Sequence, residues 1–474
     1  MSSIWHNTTA ISQRPPLTED IRTEVAIIGA GMTGILLADR LQTAGKEVVI
    51  LEARRIGSGQ TGGTTAKITA QHGLFYADLI DRLGEKQAAV YAKGHQQAIE
   101  EYRRMIDERN ISCDFKNCRS FLYSDRDIAA LKREADAAKR LGLNARYTES
   151  VPLPVNTKGA VCFENQAIFN PLKFLDAVAS DLTIYEKSPV IRVENNRVMT
   201  DRATVTADFI VFACHFPFVN FPGFYFARMH QERSCVLALK TELPPPKDIY
   251  FGVDPDGFSL RPYKDMVLFG GAGYRTGTGR GGHYAWLKKA ANEWFPGAKI
   301  QAQWSAQDTV PARGFPYIGR FSVDHLNWFV ATGYRKWGMT SAMVAAKLLG
   351  DMICCRENPM EELYAPDLFS ARELPQILSD SGRAVASIAS HALPRRVGSL
   401  RSVPTGTGKE VGWCRGAYRS DDLRLHVVSL RCPHLGCRLN WNREEKTWDC
   451  PCHGSRFDRH GRCIDGPAQQ DIRL

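Results

Sequence analysis

The N-terminal part of the chain alternates between apolar runs and a segment of mixed polarity. The run EVAIIG (24–29) is apolar after its first residue and predicts a buried strand. The segment ILLADRLQTAGK (35–46) combines apolar and polar residues at helical spacing and predicts a helix that ends at Gly45. The run EVVILE (47–52) predicts a second buried strand, which ends in the acid Glu52. The pattern therefore indicates a strand–helix–strand unit.

Three glycines occupy the turn between the first predicted strand and the helix, in the sequence GAGMTG (29–34). Glycines allow the backbone to approach a pyrophosphate at a helix N-terminus, and an acid after the second strand can bind a ribose hydroxyl. This order predicts a dinucleotide-binding site, but it does not distinguish FAD from NAD. The predicted contacts are Gly29, Ala30, Gly31, Met32, Thr33, Gly34, Glu52 and Ala53.

The next segment, RIGSGQTGGTTAKITAQHG (55–73), is rich in Gly, Thr and Ser. It resembles the loop after the second strand in the D-amino-acid oxidase/glycine oxidase superfamily of FAD enzymes. The resemblance implies that FAD is the dinucleotide and that this loop wraps its pyrophosphate and ribityl chain. A flexible surface loop is the alternative interpretation. The implied contacts are Thr61, Gly62, Thr64, Thr65 and Ala66.

A second strand–turn–helix pattern lies at NWFVATGYRKWGMTSAMVAAKLLGDMI (327–353). In the same superfamily this unit directs its helix N-terminus at the pyrimidine edge of the flavin, and a helix N-terminus stabilises negative charge. An ordinary amphipathic helix that covers a sheet is the alternative, and both interpretations can hold for one helix. The implied flavin contacts are Trp337, Gly338, Met339 and Thr340.

The middle of the chain carries weaker resemblances to the same superfamily. ATVTADFIVFACHFPF (203–218) resembles its returning strand, and KSPVIRVE (187–194) resembles the strand in which Val190 would contact the adenine side. GFSLRPYKDMVLFGG (257–271) resembles part of its substrate domain. Four residues are candidates for substrate binding or catalysis, although none is a convincing catalytic base: His72, Lys67, Arg261 and Tyr263.

Arg261 and Tyr263 are candidates because an arginine offers a bidentate fork to a carboxylate. A surface arginine and a packed tyrosine form the alternative interpretation of the pair. Lys67 and His72 lie in the second half of the segment 55–73, just after the implied flavin contacts, and are candidates for a position near the isoalloxazine ring.

Near the C-terminus, CPHLGC (432–437) and CPCHGS (450–455) combine cysteine with histidine. Thiolates suit iron–sulfur clusters, and imidazole nitrogen also binds iron. A Cys-x-His pair followed by Cys-x-x-His can hold two irons, one through two thiolates and one through two imidazoles, which is Rieske [2Fe–2S] ligation. A zinc site is the alternative, but it does not explain the small residues in both segments. The predicted ligands are Cys432, His434, Cys450 and His453.

This segment resembles the Rieske proteins of the cytochrome bc type in further residues. The resemblance implies a disulfide between Cys437 and Cys452, although disulfides are rare in reducing compartments and two buried thiols are the alternative. It also implies that Ser455 hydrogen-bonds a bridging sulfide. DGPA (465–468) resembles the proline loop that closes the cluster from a third side.

A chain of 474 residues is expected to form two or three domains, because one core rarely grows beyond about 250–300 residues. Residues 1–365 are expected to form an FAD-binding domain with a substrate domain, 366–394 a linker with a helical stretch, and 395–474 a Rieske domain. The predicted fold class is α/β: a Rossmann-like FAD-binding domain with an α+β substrate domain, followed by a small all-β Rieske domain.

No apolar run reaches the roughly 18 residues needed for a membrane span, and no signal sequence is recognised, so we predict a soluble cytoplasmic protein. The formal charge is +10, and residues 366–474 contribute half of it, with 17 Lys and Arg against 12 Asp and Glu. A plain basic surface and a docking face for an acidic electron acceptor both fit this excess. Nothing in the sequence indicates nucleic-acid binding.

Together the motifs resemble bacterial FAD-dependent oxidoreductases that carry a C-terminal Rieske domain. The resemblance implies a dehydrogenase that oxidises an amine or amino-acid-like substrate and passes electrons through the cluster to an external one-electron acceptor. One alternative is an NAD(P)H-dependent reductase that feeds a partner oxygenase, but the chain has one dinucleotide motif and not the two expected of such a reductase. The other alternative is a non-enzymatic redox carrier or sensor.

Overall fold

The structure is a computed structural model that describes residues 2–155, 157–242, 244–279, 281–367, 371–391 and 398–474. The described residues form two large sheets, of eight and nine strands, and two small sheets near the C-terminus. Helices cover the first large sheet, whereas the small sheets form an all-β unit. The predicted fold class is confirmed.

The eight-stranded sheet, here called the nucleotide sheet, is built around five parallel neighbours that include the two predicted N-terminal strands. Its strands read as continuous apolar runs because both faces are buried, one against helices such as Met32–Thr43 and the other against a β-hairpin and the segments around it. From one edge to the other they are Tyr317–Ser322, His325–Thr332, Thr204–Phe212, Ile21–Ile28, Val48–Leu51 and Thr183–Tyr185, with the hairpin Val190–Glu194 and Arg197–Thr200 beside Thr204–Phe212.

The first helix of this sheet spans Met32–Thr43, three residues earlier than the predicted 35–46. It begins directly after Gly31 and leaves Gly45 beyond its end, at a positive φ of 83°. The helix N-terminus is therefore closer to the glycine turn than the polarity pattern indicated. The segment 55–73 also differs from a plain loop, because it contains a short helix at Gln60–Gly63 and a short strand at Lys67–Ile68.

The nine-stranded sheet, here called the second sheet, is largely antiparallel and corresponds to the expected substrate domain. It lies over the carboxyl ends of the nucleotide-sheet strands, and the space between the two sheets contains the cavity described below. Its strands in order are Lys299–Pro311, Met229–Lys240, Met266–Arg275, Ser259–Tyr263, Ile249–Gly252, Lys116–Ser124, Gly159–Ile168 and Lys67–Ile68, with Ala145–Thr148 beside Gly159–Ile168.

Helices connect and cover these sheets. The longest, Tyr76–Glu108, is interrupted at Gly84, which has a φ of 77°. Within the described residues, no helix is long and apolar enough to cross a membrane. The other α-helices are Ile4–Thr8, Ile128–Arg140, Pro171–Val178, Tyr225–Arg228, His283–Trp294, Gly338–Ile353, Glu361–Tyr364 and Leu374–Ala389, and two 3-10 turns lie at Ala371–Glu373 and Leu400–Ser402.

The C-terminal all-β unit has a three-stranded and a four-stranded sheet, packed around Leu430, Trp448 and Phe457. The helix Leu374–Ala389 lies in the expected linker, and the expected boundary at 394–395 lies outside the described residues. The strands are Gly408–Glu410, Arg415–Arg419 and Leu425–Ser429, then Asn440–Asn442, Thr447–Asp449, Arg456–Asp458 and Cys463–Asp465.

A buried charge cluster fixes the C-terminal unit against the second sheet. The Arg233 guanidinium, 2% exposed, lies 2.7 Å from the carboxylate of Glu445, and Arg456 contacts the same carboxylate. Burial opposes ionisation of Glu445, but the two arginines outweigh it and lower its pKa to about 2. Breaking such a buried cluster would leave uncompensated charge, so the unit is held in one orientation.

Candidate functional site

The glycine turn lies at the carboxyl end of the first strand. Gly29 has a φ of 111°, and a Cβ atom there would lie 2.7 Å from the carbonyl oxygen of Ala213, so the position requires glycine. The carboxylate of Glu52 accepts hydrogen bonds from the backbone N–H groups of Ala30, at 2.9 Å, and Arg54, at 2.8 Å. The acid therefore lies beside the helix N-terminus, as a ribose- and pyrophosphate-binding turn requires.

The Gly- and Thr-rich segment forms the wall next to this turn. Thr61, Thr64 and Thr65 line the cavity, and the Thr61 hydroxyl accepts a hydrogen bond of 3.0 Å from the Met32 N–H. The segment is thus tied to the first turn of the helix and is not a free surface loop. The structure places the two remaining predicted residues of this segment outside the lining: Gly62 and Ala66.

The helix Gly338–Ile353 points its N-terminus at the same cavity. Trp337, Gly338 and Met339 line it. Thr340 lies behind the lining, where its hydroxyl donates to the carbonyl oxygen of Thr69 at 3.0 Å. The N-terminal position favours negative charge on a group bound in front of it.

The cavity between the two sheets has a volume of about 1140 Å³, which is large enough for a dinucleotide together with a small substrate. The bare backbone of the glycine turn, the helix N-termini and the acid Glu52 all face it, so these residues fit FAD. The predicted residues that line it are Gly29, Ala30, Gly31, Met32, Thr33, Glu52, Ala53, Thr61, Thr64, Thr65, Lys67, Val190, Trp337, Gly338 and Met339. The predicted residues outside the lining are Gly34, Gly62, Ala66, His72, Arg261, Tyr263 and Thr340.

Arg261 and Tyr263 do not reach the cavity. The Arg261 guanidinium is 1% exposed and donates to the carbonyl oxygens of Thr65 at 2.8 Å and Ala66 at 2.7 Å. Burial lowers its pKa to about 9. The Tyr263 hydroxyl accepts from the side-chain amide of Asn170 at 3.2 Å. Both side chains support the cavity wall on the side that faces away from the cavity, so neither is in place to hold a substrate carboxylate.

His72 also lies behind the wall. Its Nε2 donates to the Thr69 carbonyl at 3.0 Å, its Nδ1 accepts from the Tyr91 hydroxyl at 2.8 Å, and its ring stacks on Trp337 with centroids 4.9 Å apart. Burial lowers the pKa of His72 to about 3, so the ring is neutral. The ring therefore supports Trp337, a cavity residue, and does not face the cavity itself.

Lys67 is the catalytic candidate that lines the cavity. Its Nζ donates to the hydroxyl of Ser259 and lies 5.8 Å from the ring centroid of Phe251, and both of these residues line the cavity. Burial, with smaller contributions from the charges of Arg261 and Lys336, lowers the pKa of Lys67 to about 7. A primary amine that is partly neutral at pH 7 can accept a proton from a ligand in the cavity.

Several lining residues have no counterpart in the sequence predictions. Ser259, Gln307 and Asp308 come from the second sheet, His215 follows the strand Thr204–Phe212, and further contacts come from the C-terminal unit at 463–471. Pairing across long sequence distances brings these residues together, so no local motif marks them. The segment 257–271, which resembles a substrate domain, was the one sequence signal that pointed near Ser259.

The two cysteine–histidine loops have matching backbone geometry. The Gly436 N–H donates to the Cys432 carbonyl at 2.9 Å, and the Gly454 N–H donates to the Cys450 carbonyl at 3.1 Å. The side chains of Cys432 and Cys450 lie within hydrogen-bonding distance of each other. The loops therefore present two thiols to one point from two sides.

The two histidines complete this arrangement. The rings of His434 and His453 have centroids 4.9 Å apart. In the described part of the chain, the buried Nδ1 atom of each ring has no hydrogen-bond partner. Buried polar atoms normally have a partner, so two orphaned nitrogens beside two thiols fit a cluster that uses them as ligands.

Two further cysteines lie against the same loops. The Sγ atoms of Cys437 and Cys452 lie 2.23 Å apart, in the arrangement of a disulfide. Both lie within 4.8 Å of the Cys450 sulfur, but sulfur atoms joined to each other are not thiolate ligands. The Ser455 hydroxyl approaches Cys432 and accepts from the Ala468 N–H at 3.0 Å, which ties the proline loop to the cluster loop.

A loop of the first domain covers the imidazole side of this site. The Nε2 atom of His434 donates to the side-chain oxygen of Asn220 at 2.7 Å. The ring of Phe226 contacts both histidines, with centroids 6.3 Å from His434 and 5.8 Å from His453. The imidazoles are therefore packed against protein and do not project freely into solvent.

Two buried glutamines join the cavity wall to the second cluster loop. The Gln231 side chain donates to the His453 carbonyl at 2.9 Å, and the Gln307 side chain donates to the Gly454 carbonyl at 3.0 Å. A Cβ atom on Gly454, whose φ is 80°, would lie 2.6 Å from the Cβ of Gln231. The two surfaces are thus in direct contact.

Comparisons with known proteins identify both parts of the chain. A family model described as FAD dependent oxidoreductase matches residues 24–352, and a model described as Rieske [2Fe-2S] domain matches residues 400–474. These matches confirm the two predicted cofactors, FAD and a [2Fe–2S] cluster. The chain is 35% identical over 490 residues to YhfW of Bacillus subtilis (strain 168), whose name describes a Rieske 2Fe-2S iron-sulfur protein, covering 99% of this chain and 96% of the relative.

Other similarities concern the first domain. Gamma-glutamylputrescine oxidoreductase of Escherichia coli (strain K12) is 25% identical over 212 residues, which is 42% of this chain and 50% of the relative. The crystal structure of glycine oxidase from Geobacillus kaustophilus superposes with a TM-score of 0.63 at 16% identity, covering 74% of this chain and 100% of that one. The latter similarity shows the fold alone. The chain belongs to the FAD dependent oxidoreductase family, and its C-terminal part is a Rieske [2Fe-2S] domain.

Proposed function

We propose that this FAD oxidoreductase oxidises an amine or amino-acid-like substrate and passes the electrons singly through the cluster to an external acceptor. Glycine oxidase and gamma-glutamylputrescine oxidoreductase, to which the first domain is similar, are named for substrates of this class. When bound, FAD supplies a two-electron acceptor and the cluster a one-electron carrier. Conversion of an amine to an imine releases a hydride and a proton, so each turnover requires two equivalents of a one-electron acceptor.

The main support for this function is the direct contact between the cavity wall and the second cluster loop. Gln307 lines the cavity and donates to Gly454, and Gln231 donates to His453. Both glutamines are 1% exposed. A fixed, buried contact of this kind supports electron transfer within the chain, because a short route through packed protein replaces a diffusional encounter.

We assign the binding residues on the same basis. The cavity-lining members of the predicted set are proposed to hold FAD, and Cys437 and Cys452 are proposed to form a disulfide beside the cluster. The proposed cluster ligands are Cys432, His434, Cys450 and His453. The proposed FAD contacts are Gly29, Ala30, Gly31, Met32, Thr33, Glu52, Ala53, Thr61, Thr64, Thr65, Val190, Trp337, Gly338 and Met339.

Lys67 is proposed to accept the substrate's proton. An amine substrate arrives largely as an ammonium ion at neutral pH, and it must be neutral before it can release hydride. Lys67 faces the cavity beside Ser259, and its pKa of about 7 leaves a substantial neutral fraction at neutral pH. These properties suit a general base, whose best pKa lies near the working pH.

The proposed exit for electrons lies at the first cluster loop. A shallow depression of about 430 Å³ there is lined by seven residues that include the ligands Cys432 and His434 and the exposed Arg431. A positive charge beside the ligand loop fits an acidic one-electron acceptor, because opposite charges speed encounter and orient the partner. The excess of basic residues in 366–474 supports the same kind of partner.

An anaerobic titration tests the proposal. Amines and amino acids would be added to purified protein while absorbance reports the flavin and electron paramagnetic resonance reports the cluster. We expect a member of this class to bleach the flavin and then produce the reduced-cluster signal. Rapid bleaching by NADH or NADPH would instead indicate a reductase, and stoichiometric FAD with no effective donor would indicate a carrier or sensor.

Two variants test whether electrons pass from the flavin to the cluster within the chain. Cys432→Ser removes a proposed ligand, so the substrate should still bleach the flavin while no cluster signal follows. Cys355→Ser is the matched control, because Cys355 is an exposed free cysteine in the first domain. A cluster signal of normal size in Cys432→Ser would contradict the assigned ligand set.

A further inference from the structure

The Rieske domain contributes one wall of the FAD cavity. Residues 463–471, here called the closing segment, share the cavity with the glycine turn and with Glu52. We propose that the closing segment is a binding element for FAD, so that FAD affinity depends on the docked Rieske domain; the inference rests on the proposed FAD site. The lining residues of this segment are Cys463, Ile464, Asp465, Gly466, Ala468, Gln469 and Asp471.

Two hydrogen bonds place the closing segment at the adenosine diphosphate end of the cavity. The Arg54 guanidinium donates to the Ile464 carbonyl at 2.7 Å, and Arg54 follows Glu52 by two residues. The Gln469 side-chain amide donates to the Val190 carbonyl at 2.7 Å. Because an acid in the position of Glu52 binds the ribose of the adenosine half, the segment covers that half.

The charges of the closing segment are compatible with a bound pyrophosphate. Asp465 lies 3.0 Å from the Arg456 guanidinium and accepts from the side-chain amide of Gln60 at 3.4 Å. Asp471 is paired with Arg473. Each carboxylate is therefore neutralised by a neighbouring arginine, and neither presents an unpaired negative charge to the phosphates.

The other side of the closing segment contacts the cluster site. The Ala468 N–H donates to Ser455 at 3.0 Å. The Gln231 amide donates both to the His453 carbonyl, at 2.9 Å, and to the Gly466 carbonyl, at 3.3 Å. The segment is thus held between the two cofactor sites. Binding at one site should stabilise the other, and such a coupling free energy is reciprocal.

The first test measures FAD affinity directly. FAD would be removed from the cluster-containing protein, and rebinding would be followed by quenching of FAD fluorescence. Gln469→Ala removes a hydrogen bond that closes the cavity, so we expect the Kd for FAD to rise about 3- to 10-fold. Gln470→Ala is the matched control, because Gln470 neighbours Gln469 but does not line the cavity. Equal Kd values for the two variants would overturn the inference.

The second test uses the reciprocal effect. Loss of the cluster signal in dilute chelator would be timed in wild-type protein with and without FAD. We expect several-fold faster loss without FAD, and a smaller difference in Gln469→Ala. Equal rates with and without FAD would overturn the coupling.

The two tests are independent of the proposed reaction. If FAD affinity responds to Gln469 but no amine reduces the flavin, the inference holds and the proposed function fails. If amines reduce the flavin while FAD affinity is unchanged in Gln469→Ala, the proposed function holds and the inference fails.

Discussion

Gln307 and Gly454 are joined by a hydrogen bond of 3.0 Å between the glutamine Nε2 and the glycine carbonyl oxygen. Gln307 belongs to the wall of the flavin cavity, and Gly454 belongs to the loop that carries Cys450 and His453. The Gln307 side chain also accepts from the Thr276 hydroxyl at 3.0 Å, so its position is fixed from two sides. This side chain is therefore a fixed, buried contact between the cavity wall and the cluster loop.

Replacement of Gln307 by leucine should slow electron transfer from the flavin to the cluster. The leucine fills similar space but leaves the Gly454 carbonyl without its donor. The loss should destabilise the loop that carries Cys450 and His453 by about 1–3 kcal/mol. Freeze-quench electron paramagnetic resonance after rapid mixing with substrate measures the rate. We expect the delay between flavin bleaching and the appearance of the cluster signal to be longer than in the wild-type protein.

Gln301→Leu is the matched control for this variant, because Gln301 lies on the same strand but is exposed and outside the cavity lining. If Gln307→Leu and Gln301→Leu transferred electrons at the wild-type rate, the glutamine bridge would have no part in the route.

Lys67 should give flavin reduction a pH dependence centred near 7. Burial, Arg261 and Lys336 lower the pKa of Lys67 to about 7, so its neutral form is lost as the pH falls below that value. If the neutral amine accepts the substrate's proton, the reduction rate should rise with pH and level off above about 8. Lys67→Met should lower the plateau about 10²- to 10⁴-fold and remove the inflection.

Stopped-flow reduction across pH 5.5–9.5 would measure this dependence, with Lys288→Met as the control, because Lys288 is an exposed lysine on the helix His283–Trp294. The substrate amine also titrates, so the decisive result is the difference between the two variants. An inflection near pH 7 that persisted in Lys67→Met would assign the titration to another group.

Local motifs predicted most of the residues that the structure brings together at the glycine turn and in the cysteine–histidine loops. The glycine turn, Glu52 and the cysteine–histidine loops have fixed spacings because their chemistry acts over a few residues. Arg261 was a reasonable candidate from the sequence, yet its guanidinium faces backbone carbonyls behind the wall. Which way a strand residue points depends on its sheet partners, and those lie far away in the sequence.

The contact between the two domains could not be predicted from the sequence for the same reason. Gln231 and Gln307 are separated from the cluster loops by more than a hundred residues, and a single glutamine carries no motif. Within the closing segment, the sequence analysis recognised only DGPA (465–468), from its likeness to a proline loop over the cluster. Its second role as a cavity wall follows only from how the domains pack.

Glu445 should control the acid stability of the domain contact. Its pKa in the folded protein, about 2, lies below the ordinary value of 4.5, so its stabilising contribution is complete above about pH 5. That contribution is lost progressively as the pH falls towards 2. Glu445→Gln leaves Arg233 and Arg456 without this carboxylate. The substitution should therefore lower the free energy of unfolding by about 3–5 kcal/mol at pH 7.

The urea midpoint for loss of the cluster signal, measured from pH 7 to pH 3, reports this effect. Glu445→Gln should lower the midpoint at pH 7 and flatten its decline below pH 5. Asp422→Asn, which removes an exposed carboxylate paired with Arg424, should barely change the free energy of unfolding and therefore leave the midpoint nearly unchanged. Matching midpoints for the two variants would show that the buried cluster does not hold the domain.

The proposed Cys437–Cys452 disulfide predicts a definite thiol count. The chain has 13 cysteines, and the structure leaves 11 of them free, including the two proposed ligands. After denaturation and removal of the cluster, a thiol reagent should therefore titrate 11 groups without prior reduction and 13 after it. Thirteen reactive thiols in protein purified without reductant would favour the two buried thiols instead.

The same pair should stabilise the cluster loops, because it closes a loop with a sequence separation of 15. In the chain-entropy model, a disulfide that closes a loop of about this length raises the free energy of unfolding by roughly 3 kcal/mol. Cys437→Ser should therefore lower the urea midpoint for cluster loss and make it insensitive to dithiothreitol. Cys414→Ser, which removes a free cysteine of the same domain outside the closing segment, is the control.

Arg431 should determine which external acceptors are reduced fastest. It is exposed in the depression beside Cys432 and His434, so its charge acts at the proposed exit. With ferricyanide as an anionic acceptor, turnover should fall as ionic strength rises, whereas a cationic cobalt phenanthroline complex should show the opposite trend. Arg431→Glu should slow ferricyanide reduction about 3- to 10-fold and reverse its salt dependence.

The control variant Arg443→Glu makes the same change in net charge at an exposed residue outside the depression, so it separates local from overall charge. If both variants slowed ferricyanide equally, the general basic surface would account for the effect. Turnover independent of ionic strength with both acceptors would exclude electrostatic docking at this site, since oppositely charged partners always respond to screening.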